Sequence, residues 1–216
     1  MSSPSLRARL LLGARDALLR HGVDGVEVAD VAAAAGLPPG AFYRCFPSRD
    51  ALLEALVGQA VRAGGAAVER AVGAPADPAV AVAAFVRQTV RVTERDPLLA
   101  CLASGARSVA EALTDDFSRR VLRSVSRGVW VGRFPVSSAR VHVCAIRGAV
   151  LEVLRGRLQG TLPAAAADEL AAGVLQMLGL PPGEALAIVA APLPEVGADG
   201  ADAPRPNLTA VGGGRR

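Results

Sequence analysis

Lysine is missing from this sequence altogether: all 24 of its basic residues are arginine. That uniformity reflects the coding bias of a GC-rich genome and sets no chemical demand. Histidine is nearly absent too, with only His21 and His142, far apart, and the three cysteines, Cys45, Cys101 and Cys144, are widely and irregularly spaced. Such a pattern excludes a disulfide framework and a CxxC metal knuckle and fits a reducing compartment. There is also no glycine-rich phosphate loop, no metal-ligand spacing and no titratable pair placed for acid–base work. Asp115-Asp116 reads as a solvated helix face. Catalysis, a cofactor and a metal are therefore not expected. No stretch approaches the roughly 18 uninterrupted apolar residues needed to span a bilayer. The apolar run near the start is broken at Arg15, too early for a signal sequence. A soluble cytoplasmic protein with no membrane partner is expected.

Aromatic residues make up only 3% of the chain, whereas hydrophobic residues make up 51%. Ala, Leu and Val dominate, spread among regularly spaced charges, which favours helices packed at close range. No strand signal and no internal repeat appears. The 216 residues suffice for one large domain or for a small domain sharing an interface with a larger one. The sequence pI near 9.7 invites a nucleic-acid reading. Yet residues 1–53 hold six arginines against five acids, so charge alone does not make the case.

The chain reads as a succession of helices. Leu6, Leu10, Ala14 and Leu18 form one buried ladder, ended by His21-Gly22. VADVAAAAG gives a short second helix with Val28, Val31, Ala32 and Ala35 inward, closed by Gly36, where a positive φ can stop a helix within one residue. Pro38-Pro39 forbids continuing that helix and suits the start of another. The third helix, PGAFYRCF, spans two turns with Phe42 and Phe46 pointing inward. Pro47-Ser48 ends it, and Ser48 caps a long fourth helix carrying Leu52, Leu53 and Leu56 on its core side. Further helices are expected at about 78–95, 97–110, 111–130, 136–158 and 163–178, with a short one after Pro181-Pro182. From about residue 191 the composition predicts a disordered tail.

Two short helices joined by a glycine-containing turn, the second opening on proline, form a helix-turn-helix whose second helix can enter the major groove. The run VADVAAAAGLPPGAFYRCFPSRDALLEAL, residues 28–56, strongly resembles the signature of the TetR family of transcriptional regulators. The match lies at Asp30, Val31, Ala32, Ala35, Gly36, Leu37, Gly40, Phe42, Tyr43, Phe46, Ser48, Arg49, Leu52 and Leu53, and continues upstream through Leu10, Ala14, Leu18 and Gly22. The resemblance implies an all-α fold of about nine helices. A DNA-binding domain over 1–53 would precede a ligand-binding and dimerisation bundle over 54–190.

On the same grounds Pro39 is a DNA-binding candidate, Gly40 would let the helix backbone approach DNA closely, and Ala41 would touch a thymine methyl. Tyr43 would bond a phosphate, Arg44 would read guanine or clamp a phosphate, and Arg49 would hold another phosphate. The partners implied are double-stranded operator DNA, a second copy of the chain, and a small apolar effector. Candidates for the effector site are Phe85, Gln88, Phe117, Trp130 and His142. Candidates for the dimer interface are Val141, Ala145, Gly148 and Ala149, with Leu170, Val174, Met177 and Leu178 on the following helix.

The chain departs from the family pattern where Val26-Glu27 replaces a Ser or Thr cap, where Pro38-Pro39 replaces two polar donors, and at Cys45. These departures leave Arg44 and apolar contacts to do the reading. They also motivate an alternative: a homodimeric ligand- or protein-binding module without sequence-specific DNA binding.

Overall fold

The computed structural model describes the backbone of residues 5–104 and 107–193, with side chains outside 104–113. Most of the expected tail, from residue 194 onward, lies outside the described residues. The described chain is helical throughout, with α1 at Leu6–Gly25, α2 at Val28–Ala34, a 3-10 helix at Pro39–Arg44 and α3 at Arg49–Val72. There follow α4 at Pro78–Arg95, α5 at Pro97–Ser104, α6 at Arg107–Trp130, α7 at Ala139–Leu158, α8 at Ala166–Met177 and α9 at Pro182–Ala190.

The limits of these helices follow from local chemistry. Gly22, at φ 74°, interrupts α1 where the sequence ended it, and Gly36, at φ 63°, closes α2. Ser48 Oγ accepts from the Ala51 N–H at 3.1 Å, and Asp77 Oδ1 accepts from the Ala79 N–H at 2.8 Å, so α3 and α4 each start on a side-chain cap. Glu27 precedes α2 without a hydroxyl. There the cap works in reverse, the Asp30 carboxylate accepting from the Glu27 N–H at 3.0 Å. The junction expected at residues 110–111 lies instead between Ser104 and Arg107, and α7 begins at Ala139 because Ser138 caps it.

Two main cores result. The first joins Leu10, Ala14 and Leu18 of α1 with Val31, Phe42, Phe46, Leu52 and Leu56, and also takes in Val57, Val61, Leu98 and Leu102. It therefore runs past residue 53 and recruits α5. The second is built around α4, which is buried on nearly every side and packs against α3, α6, α7, α8 and α9. Arg87 inside this helix is only 6% exposed. Its Nε lies 2.7 Å from Asp168 Oδ1 of α8, a carboxylate that also receives Arg91 at 3.1 Å. A buried charge needs such pairing, and the pairing fixes the register of α8 on α4.

Among the described residues one helix, α3, is long and apolar enough by composition to cross a bilayer. Its Leu52, Leu56, Val61, Val68 and Val72 are buried in the two cores.

Candidate nucleic-acid interface and effector cavity

The double proline shapes the segment that follows α2. With no N–H at residues 38 and 39, the first turn closes from Ala41 N–H to Pro38 O at 2.9 Å, and the chain winds at three residues per turn. The two-turn recognition helix is thus a 3-10 helix ending at Arg44. Phe42 is fully buried, its ring centroid 5.9 Å from that of Phe46 and 5.2 Å from that of Tyr43. Ala41 shares this inner side at 8% exposure and cannot reach a base, which corrects its expected thymine contact.

Pro39, Gly40, Tyr43 and Arg44 lie on the outer side, Tyr43 at 64% exposure. Arg44 makes no hydrogen bond or ion pair among the described residues, so its guanidinium fork is free. Arg49 is placed differently from expectation: its Nε donates to Val26 O at 2.7 Å and its Nη2 to Val23 O. It clamps the turn between α1 and α2 and does not project outward. Sequence reasoning missed a second clamp of this kind. Arg9 Nη2 donates to Ala35 O at 2.9 Å and to Gly36 O at 3.1 Å, tying α1 to the end of α2. Arg7 lies over the Phe46 ring at 4.5 Å.

Behind this unit, α3, α4, α5, α6 and α7 line a cavity of about 40 Å³. Two of the effector-site candidates, Phe85 and Phe117, line it among Val61, Val68, Val92 and Leu99. The other three candidates fall elsewhere. Gln88 is buried but off the cavity wall, Trp130 is 86% exposed at the end of α6, and His142 turns back to bond Ser138 O on its own helix at 2.8 Å. A large aromatic at a helix end carried no sequence sign of facing solvent.

The polar part of the wall was unforeseen. Thr89, Thr93, Thr114, Asp116 and Arg120 all reach the cavity. Asp116 is 7% exposed, so it does not belong to a solvated face. Its Oδ2 receives Arg120 Nε at 2.7 Å and its Oδ1 receives Arg119 Nη2 at 3.0 Å, while Arg120 Nη1 bonds Glu69 of α3. Burial of this kind is tolerable only because the charges are paired. Gly64 and Gly65 make room: a Cβ at Gly65 would collide with Asp116 and Arg120. Two adjacent glycines inside a long helix cost about 1 kcal/mol each, which was the available sign of a close approach there.

On the outer face of the bundle, Val141, Cys144, Ala145 and Gly148 of α7 are exposed, beside Gly173 and Met177 of α8, with Ala149 and Leu170 half-buried. A Cβ at Gly148 or Gly173 would meet nothing, so the protomer itself does not require these glycines. Val174 at 2% and Leu178 at 0% belong to the inner core, which corrects two of the expected interface residues. The apolar stripe of α8 is wider than one face, and the outward side is the one through Leu170, Gly173 and Met177.

A helix-turn-helix unit with an outward basic segment, set on a helical bundle enclosing a small cavity, defines a class: DNA-binding regulators with a ligand-binding domain. Residues 10–56 match the family model for bacterial regulatory proteins of the tetR family, and residues 77–191 that for the tetracyclin repressor-like C-terminal domain. The chain belongs to the TetR family, which is not a family of enzymes. Among solved structures it is similar to RolR in complex with resorcinol, at 28% identity, 89% of this chain and 96% of that one, with a TM-score of 0.76. It also resembles FadR from Bacillus subtilis in complex with stearoyl-CoA (16% identity, 79% and 96% covered, TM-score 0.63) and PfmR from Thermus thermophilus (24%, 83% and 97%, TM-score 0.54). These last two share the fold. No match was found among curated proteins.

Proposed function

We propose that the protein is a cytoplasmic one-component repressor that binds a palindromic operator as a homodimer and is released by a small effector held in the bundle cavity. The observation that carries this reading is the exposed 3-10 segment: Gly40, Tyr43 and an uncommitted Arg44 face outward, while Arg9 and Arg49 of the same unit are spent on holding it together. Arg44 is the reader, by a bidentate bond to guanine or a phosphate clamp, and Tyr43 holds a phosphate. A single short segment reads few base pairs, so a second copy is needed, and the open face of α7 and α8 at Val141, Ala145, Gly148, Gly173 and Met177 is where it pairs. RolR binds resorcinol, a single small ring, and this cavity, at about 40 Å³, must widen by side-chain movement to take one.

The test is fluorescence anisotropy of the purified protein with DNA from its own promoter region across a salt series. Specific binding that falls steeply with salt is expected. Arg44→Ala should cost about 1–3 kcal/mol and relax specificity at one position. Equal weak binding to every sequence would favour instead a ligand- or protein-binding module without sequence-specific DNA recognition, a reading that the exposed Glu27 beside the turn supports.

A further inference from the structure

We propose that the cavity selects an uncharged ring bearing a hydroxyl group, a phenol, through Asp116 and Arg120, and discriminates against carboxylate and ammonium analogues of the same ring. The inference rests on the reading of that cavity as the effector site. Its warrant is the hydrogen-bonding capacity that the wall leaves unused.

Each carboxylate oxygen of Asp116 accepts one hydrogen bond, from Arg119 and from Arg120, and so retains a lone pair. Arg120 spends Nε on Asp116 and Nη1 on Glu69, and its Nη2 makes no hydrogen bond among the described residues. Acceptor capacity on Asp116 and donor capacity on Arg120 thus remain side by side on largely buried side chains, at 10% and 15% side-chain exposure. A hydroxyl group is both donor and acceptor, and it can give its proton to Asp116 while receiving Nη2 from Arg120.

A carboxylate satisfies Arg120 but brings its charge against Asp116 and Glu69. An ammonium satisfies Asp116 but faces Arg120. Arg119 and Arg123, at 68% and 61% side-chain exposure, hold their charges in solvent, and at the buried wall Asp116 faces Arg120 one to one, so an added charge there would lack a buried counter-ion of its own. The rest of the wall sets the body of the ligand. Phe85 and Phe117 offer ring faces and edges, and Val61, Val68, Val92 and Leu99 offer aliphatic surface. A free volume of about 40 Å³ is less than one ring occupies, so the wall side chains must move apart to admit it, and a long acyl chain is further still from fitting. Gly65 completes the arrangement, because any side chain there would push Asp116 and Arg120 out of place.

The experiment is calorimetric titration of the full-length protein with phenol, toluene, benzoate and benzylamine. Phenol is expected to bind at least tenfold more tightly than each of the others, and Asp116→Asn to remove at least tenfold of the phenol affinity while leaving toluene unchanged. Benzoate or benzylamine binding as tightly as phenol, or toluene doing so, overturns the proposed selectivity while the cavity remains the ring site. A cavity-filling Val61→Phe separates the two claims. If phenol binds the wild type and this variant equally, the ring sits elsewhere, and the effector-site reading falls together with the proposal. Absence of binding by all four rings overturns both. Should Asp116→Asn fail to fold, the ranking of the four rings on the unaltered protein decides alone.

Discussion

The helix-turn-helix unit and the bundle behind it lean on the same residue, arginine, in different ways. In the first, Arg9 and Arg49 donate to backbone carbonyls at the ends of α1 and α2. In the second, most arginines pair with carboxylates, Arg87 and Arg91 with Asp168, Arg120 with Glu69 of α3 and Asp116 of its own helix, Arg133 with Asp77 and Glu184, and Arg157 with Glu94, although Arg127 bonds the Pro75 and Ala76 carbonyls. A carbonyl clamp fixes a turn and leaves the net charge of the unit available to its surroundings. An ion pair fixes the register of two helices and removes both charges from the field. The small unit therefore keeps its outward electrostatics for DNA, while the bundle spends its own on packing.

The largest test of this contrast is in the small core. Phe42→Ala should cost about 3–5 kcal/mol, measured by urea denaturation. Because Leu98 and Leu102 of α5 share that core, unfolding should remain a single transition; a separate early transition of the helix-turn-helix would break the claim that the cores are joined.

Next comes Arg49→Lys, which keeps the charge and loses the fork. If Arg49 is a clamp, stability falls by about 1.5–3 kcal/mol, the range for hydrogen bonds to charged groups. Full stability with unchanged DNA affinity would return Arg49 to a simple phosphate-binding role.

The smallest effect is at Asp77, at the start of α4. Burial pushes its carboxyl upward, but the hydrogen bond from Arg133, the Ala79 N–H and the Arg133 charge together hold it below the ordinary value of 3.8. A depressed carboxyl contributes stability that is complete above about pH 4 and is lost as pH falls through its folded value. Asp77→Asn preserves the cap and deletes the charge. The wild type should exceed it by about 1 kcal/mol or less at pH 7, since the pair is partly exposed. That gap should close below pH 4, and a gap that persists into acid would refute the charge assignment.

The same contrast explains how much of the molecule was legible in its sequence. The α4 limits, Gly36, Ser48 and the Phe42–Phe46 pair were all readable, because each depends on residues within a few positions. The winding of the recognition segment was half readable: the prolines announced a new start, but that Ala41 turns inward depends on the packing of Phe42 beneath it. The cavity was read only at Phe85 and Phe117. Asp116 looked like one of two adjacent surface acids because an Asp–Arg pair four residues apart suits a solvated helix face equally well, and the gap at Gly65 that receives it is set by how α6 lies on α3. On α8 the periodicity identified an apolar helix but not which of its two apolar sides the protomer consumes.

The α3 helix is a single rod whose first turn holds the clamp at Arg49 and whose middle, at Gly65, forms the cavity wall. At 1.5 Å per residue those points are separated by about 24 Å. Pivoting the rod at the cavity by only about 5° swings its far end through about 2 Å, more than half the length of a hydrogen bond. On the function proposed above, a guest too small to disturb the bundle visibly would have enough leverage to spoil the fit of a reading head on its groove.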